Sequence, residues 1–109
     1  MDELEFRKKC DAALAALRKR LLEICDEYDF EVEGEGDKLE LLFEEPEEAC
    51  FVISPNTAAR QIWISALTTS FKLGWSEAAG AFVLDKTGET LHQVMSRILG
   101  EQLQTSVSV

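Results

Sequence analysis

The chain has little of what punctuates, staples or catalyses. Two prolines and six glycines in 109 residues leave no low-complexity stretch, and 46% apolar with 29% charged residues is the composition of a soluble globular domain. Three cysteines, Cys10, Cys25 and Cys50, are odd in number and lack Cys-x-x-Cys spacing, which fits a reducing compartment. A single histidine, His92, has no nucleophile near it in sequence, and no G-x-S-x-G, P-loop or G-x-G-x-x-G motif is present. An organised active site is therefore not expected. No apolar run approaches the ~18 residues of a membrane span. The opening Met-Asp-Glu-Leu-Glu-Phe has no basic segment leading into an apolar one, so no secretory signal or transit peptide is expected and the protein reads as cytoplasmic.

Positive charge is scarcest where negative charge is densest. Thirteen of the 21 acidic residues lie between Glu23 and Glu48, with Lys38 the only base among them. The first 48 residues carry the whole net charge of −10, and the remaining 61 sum to zero. Such a field repels a phosphate backbone, which excludes nucleic acid as a partner. It also costs stability by self-repulsion, so a folded segment that keeps it is expected to use it on cations or a basic protein surface.

Apolar periodicity supplies the elements of a single domain, 1–109. Phe6, Cys10, Ala13, Leu14, Leu17, Leu21, Ile24 and Cys25 recur at three- and four-residue steps, predicting a helix over about Leu4 to Asp26. Phe30 and Val32 alternate with acids, and Leu39, Leu41 and Phe43 alternate with charges after a Gly34–Asp37 turn, predicting a hairpin. Further strands are expected at Cys50–Ser54, stopped by Pro55-Asn56, then at Arg60–Ala66, Ser70–Trp75 and Ala81–Asp85. Thr90 and Gln93 have capping-box spacing ahead of a closing amphipathic helix. The tail from Thr105 carries no pattern. Strands this closely spaced pair antiparallel. The expected fold is α+β: a two-layer sandwich, with N- and C-terminal helices on one face of an antiparallel sheet of about six strands and the other face open. Cys10 and Cys50 are expected in the core, with Cys25 at a helix end beside carboxylates that disfavour its thiolate. His92 is expected on the surface.

Two groups of side chains stand out. Glu23, Asp26 and Glu27 occupy the C-terminal end of the first helix, where the dipole disfavours anions by about 0.3–1 kcal/mol each. Asp29, Glu31 and Glu33 follow on one face of an early, edge-placed strand, about 7 Å apart. This open line of carboxylates suits hard cations such as iron, Ca²⁺, Mg²⁺ or Mn²⁺, held weakly and at several points. It lacks an EF-hand loop and the histidines of a zinc or di-iron catalytic site. The second group is Gln61, Trp63 and Ser65, on the open sheet face beside Arg60 and Lys72. An exposed Trp with Arg and Gln is the composition of a protein-binding hot spot.

The run Phe51-Val52-Ile53-Ser54-Pro55-Asn56-Thr57-Ala58-Ala59-Arg60-Gln61-Ile62-Trp63-Ile64-Ser65 resembles the signature strand pair of frataxins, with its Gln-Ile-Trp core. Asp85-Lys86-Thr87-Gly88-Glu89-Thr90-Leu91 resembles the turn into their second helix, and Glu5-Phe6 and the acidic helix-to-strand junction are also similar. The resemblance covers almost the whole chain and favours the bacterial branch. It implies iron (Fe²⁺/Fe³⁺) weakly bound on an acidic ridge of Glu23, Asp26, Glu27, Asp29, Glu31 and Glu33, with Asp11 a further helix position. It implies docking through Arg60, Gln61 and Trp63 on a cysteine desulfurase and iron–sulfur scaffold protein. The implied protein is a non-catalytic iron donor or regulator, a monomer or a metal-dependent oligomer. The family's ferroxidase activity finds no enclosed di-iron site here. An acidic interaction module whose metal binding is incidental is the alternative. Arg18, Lys19 and Arg20 depart from the family's acidic mid-helix and shorten the ridge, and Gly74 stands where an acid is often found.

Overall fold

The computed structural model describes all residues, Met1–Val109. Helix α1 (Glu3–Tyr28) is followed by β1 (Phe30–Glu33), β2 (Leu39–Phe43), β3 (Ala49–Asn56), β4 (Gln61–Ala66), β5 (Thr69–Ser76), β6 (Ala81–Leu84) and α2 (Leu91–Leu103). The six strands form one antiparallel meander in chain order, so β1 is an edge. Phe6, Leu14, Leu17 and Leu21 of α1 and Val94, Met95, Ile98 and Leu99 of α2 join Phe30, Leu41, Phe43, Phe51, Ile53, Ile62, Ile64, Leu73 and Phe82 in one 22-residue core. These strand residues all share one parity along their strands, which puts both helices on the same sheet face and gives the α+β sandwich.

Local chemistry sets the ends of the helices. The Asp2 side chain accepts from the Glu5 amide at 2.7 Å, capping the start of α1. At its far end Asp29 takes the left-handed conformation (φ 58°) and its amide donates to the Cys25 carbonyl. This turn reverses the chain directly into β1. In α2 the expected capping box is formed in both directions between Thr90 and Gln93. The buried Gln102 side chain donates to the Glu47 carbonyl at 3.0 Å, fastening α2 to the loop between β2 and β3.

Five expectations are corrected. Asp29 does not share the strand row of Glu31 and Glu33: it is the left-handed C-cap of α1, and β1 begins at Phe30. Pro55 and Asn56 do not end the third strand: β3 runs through them, pairing with Ile62 and Gln61. Beyond Ile53 that strand has no β2 partner, and a locally unpaired edge is where proline is tolerated. Arg60 is not a strand residue; it occupies a left-handed turn position (φ 55°) before β4. Cys50 is exposed rather than in the core, because Phe51 and Ile53 take the inward positions of β3 and the pleat sends Cys50 outward. His92 is half-buried, in an apolar groove of about 350 Å³ between α1, β6 and the start of α2.

Candidate functional site

The end of α1 holds no base in its last turn, and the Asp29 reversal brings helix and strand carboxylates to one corner. A cleft of about 260 Å³ there is lined by Cys25, Asp26, Asp29, Phe30, Glu31, Leu42 and Glu44. Glu44 was not among the residues singled out from the sequence. The β1–β2 ladder ends on the pair Phe30–Phe43, whose chain neighbours Asp29 and Glu44 both line the cleft. A hairpin register counted outward from the Gly34–Asp37 turn contains that signal.

The other acids are dispersed. Glu23 is turned along the helix to Arg20, 3.5 Å away. Glu27 is exposed and does not line the cleft. Glu33 lies at the far end of β1 opposite Glu40, which pairs with Lys38 at 3.4 Å. Asp11 is twelve residues before Glu23, roughly 18 Å along the helix. It lines a different cavity, of about 310 Å³, with Arg18 and Asp37. Burial chiefly, and then the charges of Asp11 and Asp37, push the neighbouring Cys10 thiol up to about 11.

The donors are oxygens of the class that hard cations take, but no three Asp, Glu, His or Cys side chains converge on one point. The corner can therefore hold a cation through one or two carboxylates with water completing its shell, not in a closed cage. Two of the three bases that depart from an acidic mid-helix are tied to backbone carbonyls, while Lys19 is exposed. Arg18 donates to the Gly34 carbonyl at 3.4 Å, and Arg20 donates to the Ser108 carbonyl at 2.9 Å.

On the open sheet face the registers align Ser54, Trp63 and Lys72 in one row, with Asn56, Gln61 and Gly74 in the next. Trp63 is 37% exposed, on the side away from both helices. Its Nε1 donates to Gln61 Oε1 at 2.9 Å, and the Lys72 ammonium lies 4.7 Å from the ring centroid. Arg60 does not join this row. Its guanidinium turns back to donate to the Thr57 carbonyl, and its Nε is buried without a partner.

A family model described as a frataxin-like domain matches residues 1–105. The iron-sulfur cluster assembly protein CyaY of Ralstonia nicotianae is 25% identical over 111 residues, spanning 100% of this chain and 95% of that protein. The CyaY proteins of Pseudomonas entomophila and Azotobacter vinelandii are each 26% identical, over 94% and 71% of this chain and 89% and 68% of theirs. The frataxin of Psychromonas ingrahamii superposes with a TM-score of 0.76 at 21% identity, covering 99% of this chain and 97% of that one, which shows the shared fold. With the family match spanning the acidic corner, the Trp63 face and both helices, the chain belongs to the frataxin-like family, in its bacterial, CyaY-like branch.

Proposed function

We propose that the protein serves iron–sulfur cluster assembly without catalysing a reaction itself, carrying iron loosely at the α1–β1 corner and docking through the open sheet face on a cysteine desulfurase and its scaffold protein. The observation that carries this is the cleft of Asp26, Asp29, Glu31 and Glu44 at a helix end with no base in its last turn. The helix dipole and mutual repulsion both disfavour these carboxylates, and a bound cation relieves both. Glu23, Glu27 and Glu33 extend the attraction along the same edge, and Asp11 forms a separate, weaker position beside Asp37. Iron is cargo in this scheme, so an open site from which it leaves readily is the useful kind. The frataxin-like family match and the names of the CyaY relatives support the assembly role.

The test is an iron titration of the labelled protein watched by amide shifts. Changes centred on residues 26–31 and Glu44, retained at 0.15 M salt and lost in Asp29→Asn with Glu44→Gln, are expected. The competing role, an acidic module whose metal binding is incidental, draws on the lack of three convergent ligands. It predicts diffuse shifts that salt abolishes.

A further inference from the structure

The row Ser54–Trp63–Lys72 carries a cation without a counter-ion. The other lysine near this face, Lys38, is paired with Glu40 at 3.4 Å. The arginine adjacent in sequence, Arg60, is committed to its own turn. Lys72 is exposed, yet in a chain with 21 acidic residues it makes no ion pair, and its ammonium rests against the Trp63 ring. The Gln61 side chain meanwhile holds the indole N–H, so ring and ammonium form a defined two-part surface. We infer that this patch takes a partner segment presenting an Asp or Glu carboxylate beside an apolar side chain, the carboxylate meeting Lys72 Nζ and the apolar group the Trp63 ring.

The charge pattern makes this an orientation device as well as a contact. The α1–β1 edge attracts a basic surface, whereas Trp63–Lys72 attracts an acidic one. A partner carrying both signs in that order docks in one direction, and the reversed pose sets like charges against each other at both ends. Docking also removes water from around Lys72, so an uncompensated ammonium there becomes costly and a carboxylate opposite it becomes selective. This rests on the docking role proposed for the open face.

The experiment measures binding of the full-length protein to the desulfurase–scaffold complex, with Trp63→Ala, Lys72→Arg, Lys72→Met and Lys72→Glu compared by calorimetry. Thermal melts check that each variant is folded. Lys72→Arg should bind like the parent, and Lys72→Met should weaken binding several-fold. Lys72→Glu should weaken it about tenfold or more. An Asp or Glu to Lys change on the partner's docking face should restore the Lys72→Glu variant. Undiminished binding by Lys72→Glu, with Trp63→Ala impaired, overturns the carboxylate inference and leaves the docking role standing. Undiminished binding by Trp63→Ala removes the docking role and this inference together. Concentration-dependent self-association abolished by Lys72→Glu would show that a second copy of this chain is the occupant instead, which also overturns it.

Discussion

Arg20 in the middle of α1 donates to the Ser108 carbonyl at 2.9 Å, joining positions 88 residues apart. Tyr28 and the Ser106 carbonyl make a second, longer tie at 3.4 Å, and the Val109 amide donates to Ser96 Oγ of α2 at 2.9 Å. The tail thereby lies along both helices and lays Val107 and Val109 against the core. Removing residues 105–109 should lower the unfolding free energy by about 2 kcal/mol, the value of two partly buried valines and the ties that hold them. A denaturant melt of the truncated protein measures it. Arg20→Ala should lose less than half as much, since its ties are at the surface.

The acidic corner should limit stability. Glu27→Lys together with Glu31→Lys introduces bases at a helix end and on an edge strand now crowded with carboxylates. The double variant should melt higher than the parent at low salt, and the difference should shrink as salt screens it. Millimolar divalent cation should raise the parent's melting temperature and leave the variant's nearly unchanged, because the parent's folded state binds the ion preferentially. A parent melt indifferent to both salt and cation would show that the corner is not under repulsive strain.

Much of the architecture is written in periodicity. The three- and four-residue spacing from Phe6 to Ile24 and the alternation through Ile62 and Ile64 belong to single elements, and both reappear as buried stripes. What escaped depends on parity or on distant contact. Cys50 belongs to a residue type usually buried, but its side is decided by Phe51 and Ile53 next to it. Arg60 continues the strand pattern in composition, while its backbone completes a turn. Glu44 joins the corner only through the hairpin register, and Arg20 finds its partner in a tail that has no pattern of its own. The acids that were legible as one line are divided by geometry into a cleft and outlying groups. Helix and strand periods place residues on a face, but they do not set the distance between faces.

The thiols should separate cleanly by reactivity and pH. Cys50 is exposed and should react with a thiol reagent in the native protein, whereas Cys10 should not react until the protein unfolds. Cys10 is held at about 11 against its ordinary 9.0, so the folded state resists losing this proton. The stability that follows is complete below pH 9 and is lost as pH rises towards 11, because the unfolded thiol ionises first. Across that window the advantage of the parent over Cys10→Ala should shrink by about 2 kcal/mol. Paired denaturant melts at pH 8.5 and pH 11 provide the measurement, and a constant difference would contradict it.

The hairpin between β4 and β5 turns on Leu67 and Thr68, both at positive φ (53° and 59°), with Ala66 and Thr69 as the last pair of the ladder. A two-residue hairpin loop of this kind matches the twist of its strands but favours Asn and Gly. Leu67 has a reason to be there, since its side chain packs against the core. Thr68 is exposed, and its hydroxyl only donates to the adjacent Leu67 carbonyl at 2.6 Å. A β-branched residue in the left-handed region costs roughly 1–2 kcal/mol, and glycine relieves this while giving back part of it as unfolded-state entropy. Thr68→Gly should therefore stabilise the protein by about 0.5–1 kcal/mol, whereas Leu67→Gly should destabilise it through the lost packing. The pair of variants separates backbone strain from side-chain burial at adjacent positions. A Thr68→Gly protein no more stable than the parent in a denaturant melt would show that the turn carries no strain at that residue.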